Sequence, residues 1–240
     1  MNPADFARRV DLAEEMDRAD SPEDRLFRTL DQFETLNRLI SRSRGILTRT
    51  VLTDLKKDPG QPRHLADLGA GGCDISRWLV RRARRLGATF RITAIERDER
   101  IIRYAAAANA GYPEIRIVHA DLFDQEAWGN PDYVFANHVL HHFPDPKCVD
   151  LLRLLDRSDL RRYLVSDLTR SVWSARAFRM GCSPFFHGSF LIQDGVTSIR
   201  RGFTIPEVRE LLHRAALLHP ATVRRVFPGR FIIEGGSAKT

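Results

Sequence analysis

A chain of 240 residues, 43% hydrophobic and 29% charged, is long enough for one globular domain with modest additions and has the composition of a soluble protein. It has no apolar run near the roughly 20 residues of a membrane span, and residues 1–20 carry charges where a secretory signal needs an apolar core. Three widely spaced cysteines without a Cys-x-x-Cys pair disfavour a disulfide framework or a structural zinc site, so we expect a cytoplasmic protein.

The net charge of +7 comes almost wholly from arginine, which supplies 34 of the 38 basic residues. The densest basic patch is Arg-Arg-Ala-Arg-Arg at residues 81–85, on a predicted helix. One interpretation is a nucleic-acid surface. The other is a solvated helix face, because this helix packs beside the sheet and away from the edge where ligands bind. We favour the second interpretation and do not expect nucleic acid as a partner.

The first 57 residues are predicted to form a helical cap. Ser21-Pro22-Glu23-Asp24 predicts a helix start, with serine as the N-cap, proline at the first helical position and acids in the first turn. Apolar side chains then recur at helical spacing from Leu26 to Ile40. A second amphipathic segment, Ile46–Leu55, follows an expected break at Arg44-Gly45.

Strands and helices alternate after this cap, which predicts a Rossmann-like, doubly wound α/β fold with a mainly parallel sheet. Asp-Pro-Gly-Gln-Pro at 58–62 marks the start of this domain, which we assign to residues 58–240. The expected parallel strands are Leu65–Leu68, Phe90–Ile95, Ile115–Val118, Tyr133–Ala136 and Tyr163–Val165. The expected helices are Ile75–Leu86, Glu99–Ala108, a short turn after Asp121, Cys148–Leu155, Ser171–Met180 and Ile205–His213. Two final apolar runs, Thr222–Phe227 and Phe231–Glu234, predict a C-terminal antiparallel hairpin.

A glycine-rich turn joins the first strand to its helix, in the sequence Leu-Ala-Asp-Leu-Gly-Ala-Gly-Gly-Cys-Asp at 65–74. Glycine there permits positive φ and a close backbone approach to a nucleotide. A dinucleotide fingerprint counted from Gly69 would need glycine where Asp74 stands, which disfavours a dehydrogenase. The turn also lacks the Gly-Lys-Ser/Thr ending of a triphosphate-binding loop. The acid at Asp67, two positions before a G-x-G, resembles motif I of the class I S-adenosylmethionine-dependent methyltransferases.

Acidic residues also follow the second and third strands, at the edge where open α/β sheets bind ligands. The carboxylate of Glu96 can accept two hydrogen bonds from vicinal ribose hydroxyls. Asp121 can accept from the exocyclic amine of adenine, and the amide of Leu122 can donate to a ring nitrogen. The alternative for Asp121 is that it caps the short helix that follows, and the two roles are compatible.

Residues 64 to about 168 resemble the core of a class I methyltransferase of the small-molecule kind. The resemblance rests on motif I, the two strand-end acids, motif IV and strand five, at 64–73, Glu96, Asp121, 132–143 and 163–168. It implies S-adenosylmethionine as the cofactor, with Asp67 and the turn Gly69-Ala70-Gly71 around its methionine moiety. It also implies that Asn137 or His138 lines the methyl-transfer side. Two departures are glutamate in place of the commoner aspartate at 96, and the absence of a Lys-Pro-Gly-Gly turn before strand five.

Histidines cluster just beyond the fourth strand, in Asn-His-Val-Leu-His-His at 137–142. Histidine titrates near neutrality, so His141, His138 or His142 could remove the proton of a methyl acceptor, with His141 ahead of His138. The alternative is that these histidines cap the helix or pack beneath the cofactor. Because Asp167 alone does not make a metal site, we expect no metal.

Aromatic residues are frequent in 170–204, which we interpret as a substrate-covering insertion. Phe178, Phe186 and His187 are candidate substrate-binding residues, although the aromatics could instead pack the insertion onto the sheet. We expect methyl transfer to a hydrophobic, aromatic or polyketide-derived small molecule of secondary metabolism, most readily at oxygen, by a monomer or homodimer. The alternatives are an RNA methyltransferase that uses the arginine-rich surface and a cofactor-binding protein without catalysis.

Overall fold

The computed structural model describes residues 1–237, and it confirms a Rossmann-like α/β architecture around one seven-stranded sheet. The strands are β1 (Arg63–Leu68), β2 (Phe90–Glu96), β3 (Ile115–His119), β4 (Tyr133–Asn137), β5 (Arg162–Leu168), β6 (Thr222–Val226) and β7 (Arg230–Gly235). Their order in the sheet is β3-β2-β1-β4-β5-β7-β6. The first five strands run parallel, and β7 pairs antiparallel with both β5 and β6, which confirms the expected terminal hairpin.

Most helices lie where the sequence predicts them, within a few residues at each end. Residues 191–201 form a helix that the sequence did not predict, and the expected segment Ile46–Leu55 is divided between two helices. The helices are α1 (Glu23–Leu39), α2 (Ser43–Arg49), α3 (Val51–Lys57), α4 (Asp74–Arg85), α5 (Glu99–Ala108), α6 (Asp145–Arg157), α7 (Val172–Cys182), α8 (Leu191–Arg201) and α9 (Ile205–Ala215). Short 3-10 turns add Pro3–Phe6, Glu15–Asp17, Gln125–Trp128 and Leu140–His142. Within residues 1–237, no helix is long and apolar enough to cross a membrane.

Two details of the N-terminal helices differ from the sequence expectation. Pro22, not Ser21, is the residue that caps α1, and Ser21 instead accepts a hydrogen bond from Arg100 Nη1 at 2.8 Å. The break at Arg44-Gly45 is wrong, because both residues lie inside α2. The helix ends instead at Thr50, whose hydroxyl bonds the carbonyl of Ile46 (2.9 Å) and whose backbone leaves the helical region.

Two apolar layers cover the sheet, one on each face. One joins inward side chains of β1, β4, β5 and β7 to α6 and α9, and the other joins the opposite face to α2, α3 and α4. Strand β1 is buried over residues 64–68, as expected for a central parallel strand. The strand order reverses between β1 and β4, and in open α/β sheets a crevice for ligands opens at such a reversal.

The chain ahead of α1 crosses this carboxyl edge of the sheet. Its turn Glu15–Asp17 is held by Asp194 of α8, whose two carboxylate oxygens accept from the amides of Glu15 (2.9 Å) and Met16 (3.0 Å). Arg100 of α5 donates from the other side to the carbonyls of Arg18 (3.1 Å) and Met16 (3.3 Å). Residues before the first long helix therefore form part of the wall around the crevice.

Candidate active site

A pocket lies over the carboxyl ends of β1, β2 and β4, at the point where the strand order reverses. It brings together every residue that the sequence predicts for the cofactor or for catalysis: Asp67, Gly69, Ala70, Gly71, Glu96, Asp121, Leu122, Asn137, His138, His141 and His142. Residues of the N-terminal segment and α1 complete the lining, among them Glu14, Met16, Phe33 and Asn37.

The glycine turn after β1 brings bare backbone to the pocket. Gly69 has φ +67°, and its amide and that of Ala70 donate to the carbonyl of Ile95 at 3.0 and 3.1 Å. A Cβ at Gly69 would lie 2.7 Å from Cγ2 of Val139, so this position has no room for a side chain. Gly71 has φ +53° and open space beside it. The turn can therefore admit a ligand against its backbone.

The carboxylate of Glu96 is fixed by backbone amides at the end of β2. Its Oε2 accepts from the amide of Gly71 (3.0 Å), and its Oε1 accepts from the amides of Arg97 (2.8 Å) and Asp98 (3.1 Å). This bonding ties the strand-two acid to the glycine turn and sets its direction. These amides use three of the carboxylate's roughly four acceptor sites, which leaves one on Oε2 for a ribose hydroxyl.

Two buried carboxyls lie under the turn and titrate close to neutrality. Burial raises the pKa of Asp67 to about 7, against the hydrogen bond that Ser76 Oγ donates to it at 2.6 Å. Burial likewise raises the pKa of Asp74 to about 6, although Asn37 Nδ2 donates to its Oδ1 at 3.1 Å. Arg44 is the nearest cation, with its Nη2 4.0 Å from Asp74 Oδ2.

Two side chains of the pocket, Asn37 and Asp74, each have a buried acceptor atom that makes no hydrogen bond. Asn37 Oδ1 and Asp74 Oδ2 are buried, lack a hydrogen bond, and belong to residues that line the pocket. Buried acceptors are normally satisfied, so an unpaired pair indicates a missing donor. An ammonium group offers three N–H donors and a positive charge, which fits both atoms.

The two residues predicted to contact adenine, Asp121 and Leu122, lie on the rim of the pocket. Asp121 is exposed, and its Oδ1 accepts from the amide of Phe123 at 2.8 Å, so it braces a local turn. It does not cap the next 3-10 turn, which begins after Asp124. Leu122 is half-buried and packs against the apolar layer, while its carbonyl accepts from Trp128 Nε1 at 3.0 Å.

His141 is held between two carboxylates at the far end of the pocket. Its Nδ1 lies 2.7 Å from Asp167 Oδ1, its amide donates to Asp167 Oδ2 (3.0 Å), and its Nε2 lies 3.3 Å from Glu14 Oε1. Burial opposes a charged ring, but Asp167 and Glu14 outweigh it and raise the pKa of His141 to about 9. Burial likewise works against the two carboxylates, yet the histidines lower the pKa of Glu14 to about 2 and that of Asp167 well below its ordinary value.

His142, the next residue, also lies between two carboxylates, those of Asp17 and Glu14. Its Nδ1 lies 3.2 Å from Asp17 Oδ2 and its Nε2 lies 3.9 Å from Glu14 Oε1. The rings of His141 and His142 stack with their centroids 4.3 Å apart. Glu14 also accepts from Ser198 Oγ at 2.8 Å, which anchors it to α8.

His138 and Asn137 are bound instead by a buried arginine from the terminal hairpin. Arg230 donates from Nη1 to His138 Nε2 and from Nη2 to Asn137 Oδ1 (2.7 Å) and Ser166 Oγ (3.0 Å). His138 has φ +60°, which aims its ring toward β7. Burial and the Arg230 guanidinium lower the pKa of His138 well below its ordinary value. Burial lowers the pKa of Arg230 to about 10.

The predicted substrate residues of the insertion lie outside this pocket lining. Phe178 and Phe186 are half-buried and pack against Leu36 and Leu191, and His187 is exposed. This packing is the alternative that the sequence left open for the aromatics. Their role in substrate binding stays a prediction.

Sequence reasoning missed four residues that the fold brings to the site: Glu14, Asp17, Asn37 and Arg230. Each comes from an element outside residues 64–168, either the N-terminal segment, α1 or β7. No local spacing marks them. The one available signal is the position of Glu14 and Asp17 in an acidic cluster ahead of the first long helix.

The fold and site define a nucleoside-binding α/β protein with an acid-flanked glycine turn and a histidine cluster beyond β4. Residues 65–158 match the family model of the methyltransferase domain. This match agrees with the prediction from motif I and supports a methyltransferase domain that uses S-adenosylmethionine as its cofactor.

Similar proteins share the fold across most of the chain. The plantazolicin methyltransferase BamL, solved with a triazolic desmethylPZN analog and SAH, has a TM-score of 0.63 at 15% identity, covering 90% of this chain and 96% of that one. Human N-acetylserotonin methyltransferase with SAM has a TM-score of 0.56 at 18% identity, covering 90% and 57%. The CMeT domain of citrinin polyketide synthase has a TM-score of 0.56 at 14% identity, covering 92% and 55%.

A curated relative comes from a different substrate class. The chain is 25% identical over 193 residues to the ribosomal RNA small subunit methyltransferase A of Geobacter sulfurreducens. The match covers 75% of this chain and 63% of the length of that relative.

Proposed function

We propose that the protein transfers a methyl group from S-adenosylmethionine to a hydroxyl of a hydrophobic small molecule, aromatic or polyketide-derived. The observation that carries the proposal is the cluster of Glu14, His141 and His142 at one end of a pocket whose other end is the glycine turn. Apolar side chains, including Met16, Leu30, Phe33 and Phe143, line the same pocket. Small-molecule sites have this character, with a mainly apolar wall and a few convergent polar groups.

The residues at the turn would hold the cofactor. Gly69, Ala70 and Gly71 provide bare backbone, and Glu96 provides an acceptor for a ribose hydroxyl. The unpaired oxygens of Asn37 and Asp74 would receive the ammonium group, while Asp67 and Asp121 remain the proposed partners of the methionine moiety and adenine. When bound, the cofactor supplies a methyl group on a sulfonium, an electrophile that needs an aligned nucleophile more than a strong base.

His141 and His142 are the residues that we propose to contact the acceptor hydroxyl. Asp167 and Asp17 each hold the Nδ1 of one ring, so both rings turn Nε2 toward Glu14 and the pocket. His138 is a weaker candidate, because Arg230 donates to its Nε2 and that atom is no longer free to accept a proton. We propose that His138 and Asn137 form the floor that aligns the reacting groups.

The structural neighbours named for plantazolicin, citrinin polyketide synthase and N-acetylserotonin support a natural-product or aromatic acceptor for this chain. A role in secondary metabolism, a cytoplasmic location and a monomeric or homodimeric state belong to the same proposal. So does the division into a cap of residues 1–57 and a core of 58–240 with a covering insertion at 170–204.

The experiment that tests the proposal is an acceptor screen with S-adenosylmethionine, read by mass spectrometry. Phenols, polyketide-like hydroxyacids and aryl amines are compared at equal concentration. We expect a hydrophobic hydroxyl compound to gain one methyl group, and the His141→Gln variant to lose that product while still binding SAH. A protein that binds SAH but methylates none of these compounds would instead support the non-catalytic alternative.

RNA methylation is the second candidate, because a curated relative is a ribosomal RNA methyltransferase and α4 carries four arginines in 81–85. Two of these arginines are already engaged: Arg84 pairs with Glu114 at 2.7 Å and Arg81 donates to the Tyr112 hydroxyl at 2.7 Å. Steeply salt-dependent retention of structured RNA, and methyl incorporation into it, would favour this candidate. Absence of retention at low salt would remove it.

A further inference from the structure

Glu14, His141 and His142 bring three ligand atoms together at the acceptor end of the pocket. One carboxylate oxygen of Glu14 and one ring nitrogen from each histidine lie within 4.8 Å of one another. Glu14 Oε1 is 3.3 Å from His141 Nε2 and 3.9 Å from His142 Nε2. Ligand atoms that share a metal ion at about 2.1 Å lie roughly 3 to 4 Å apart, so both separations suit one ion.

The other ring nitrogen of each histidine is already held by a carboxylate. Asp167 lies 2.7 Å from Nδ1 of His141, and Asp17 lies 3.2 Å from Nδ1 of His142. When Nδ1–H donates to a carboxylate, Nε2 is left as a lone pair. Metal-binding histidines are commonly oriented in this way, with a carboxylate on the nitrogen that does not bind the metal. Two such pairs converge here on one glutamate.

His141 Nε2 and Glu14 Oε1 face each other at 3.3 Å in a buried position, and the His141 side chain is 1% exposed. Without an ion, a proton on that nitrogen compensates Glu14. That proton does not interact with Nε2 of His142, whereas an ion at the centre would be bound by all three groups.

The local charge also favours a dication. Glu14, Asp17 and Asp167 contribute three negative charges, and among residues 1–237 the fixed cation that pairs with Glu14 is Arg201, at 3.8 Å. The guanidinium of Arg201 is otherwise bound to main-chain carbonyls, including those of His141 (3.2 Å) and Leu12 (3.0 Å). Without an ion, the proton on the His141 ring offsets part of this negative charge, and a bound ion would replace that proton.

We propose that Glu14, His141 and His142 bind a divalent transition-metal ion of the zinc or iron(II) type, with coordination positions open toward the pocket. Two histidines and one carboxylate suit such ions better than magnesium or calcium, which prefer oxygen. The sequence led us to expect no metal because Asp167 alone does not make a metal site. Glu14 lies 127 positions from His141, and only the fold brings the two together. This role rests on the proposed function: the ion would bind the acceptor oxygen and make it easier for the hydroxyl to lose its proton to water.

The test is metal binding by the purified protein, without cofactor or acceptor. The chelator-stripped chain is titrated with Co²⁺ and Zn²⁺, followed by the visible absorption of bound Co²⁺ and by elemental analysis after dialysis. We expect one ion per chain. We expect His142→Gln and Glu14→Gln to weaken binding at least tenfold, and Asp17→Asn, which removes only a supporting carboxylate, to weaken it about tenfold.

His219→Gln is the matched control, because His219 also pairs with a carboxylate, Asp156 at 3.2 Å, but lies away from the pocket. We expect it to bind the ion as the unmodified protein does. Absence of a bound ion, or equal binding by the His142→Gln variant, would overturn the inference and leave the methyltransferase proposal standing. Ion binding without methylation of any acceptor would support the site and count against the proposed function.

Discussion

The two ends of the pocket draw their residues from different distances along the chain. The cofactor end is built mainly from β1, the turn after it and the end of β2, all within Asp67–Glu96. The acceptor end combines Glu14 from the N-terminal segment, His141 after β4 and Arg230 from β7. Nucleoside binding can therefore be encoded in one short motif, whereas the acceptor site depends on contacts that form only when the N-terminal segment and β7 dock on the sheet.

The largest expected effect falls on the acceptor end. We predict that His141→Gln lowers turnover about 100- to 10,000-fold, because the ring proposed to contact the acceptor hydroxyl is lost. SAH affinity should change less than about twofold. Turnover is measured by steady-state kinetics with the acceptor found in the screen. The affinity for SAH is measured by calorimetric titration. His219→Gln should behave like the unmodified protein, and a loss of SAH affinity as large as the loss of turnover would break the comparison.

At the cofactor end, Gly69→Ala should nearly abolish binding. Its Cβ would press on Val139, and the left-handed backbone adds about 1 to 2 kcal/mol of strain. We expect SAH affinity to fall roughly 100-fold, measured by calorimetry, since about 1.4 kcal/mol corresponds to a factor of ten. Gly87→Ala is the matched control, because Gly87 also has positive φ, at +65°, but has open space beside it. Similar SAH affinity in both variants would show that the turn does not touch the cofactor.

Replacing Glu96, the acid proposed to bind the ribose, should have a smaller effect on cofactor affinity. We predict that Glu96→Ala weakens SAH binding by about 1 to 3 kcal/mol through lost charge-assisted hydrogen bonds. Because the ribose is common to both ligands, 5′-methylthioadenosine should lose affinity in parallel. Glu99→Ala changes an exposed acid three residues away and should leave both affinities unaltered. Undiminished SAH affinity in a folded Glu96→Ala protein would place the nucleoside elsewhere.

Cofactor binding should depend on pH, because two carboxyl groups in the pocket have raised pKa values. Burial raises the pKa of Asp67 to about 7 and that of Asp74 to about 6, so both become neutral as the pH falls. A neutral carboxyl no longer attracts an ammonium group, so we expect SAH affinity to fall about tenfold from pH 8 to pH 5. Asp74→Asn should weaken binding at pH 8 and flatten this profile. Because 5′-methylthioadenosine lacks the ammonium, an equally steep profile for it would contradict this explanation.

The smallest effect on binding is expected from the insertion. Phe186→Ala should leave SAH affinity within about twofold, because Phe186 packs against Leu36 and Leu191 outside the pocket lining. Removing this half-buried ring should lower the free energy of unfolding by about 1 to 3 kcal/mol, measured by urea denaturation. His187→Ala, at an exposed neighbour, should change neither quantity. A selective rise in KM for the acceptor would restore the substrate role predicted for Phe186.

Much of the sheet could be predicted because its pattern is local. Apolar runs bounded by turn residues placed the strands within one to three residues, and helical periodicity placed α4, α5 and α9 almost as closely. The glycine turn predicted a nucleotide pocket because positive φ and close approach are properties of the residue itself. Errors arose where a tertiary contact overrides local preference, as at Ser21, whose hydroxyl accepts from Arg100.

The acceptor end could be predicted only in part. The run of histidines after β4 can be recognised in the sequence. The different surroundings of each histidine cannot. His138 points toward Arg230, while His141 lies between Asp167 and Glu14. These partners are separated from the histidines by 26 to 127 positions, and no periodicity in the chain connects them.

The guanidinium of Arg230 has a consequence for biosynthesis. It lies buried beneath Asn137 and His138, so the floor beside the histidines cannot form until the ribosome has completed β7. Glu14 emerges near the start of translation and must wait for nearly the entire polypeptide before its partners are in place. Nascent chains should therefore acquire affinity for the nucleoside before the acceptor end of the pocket is complete.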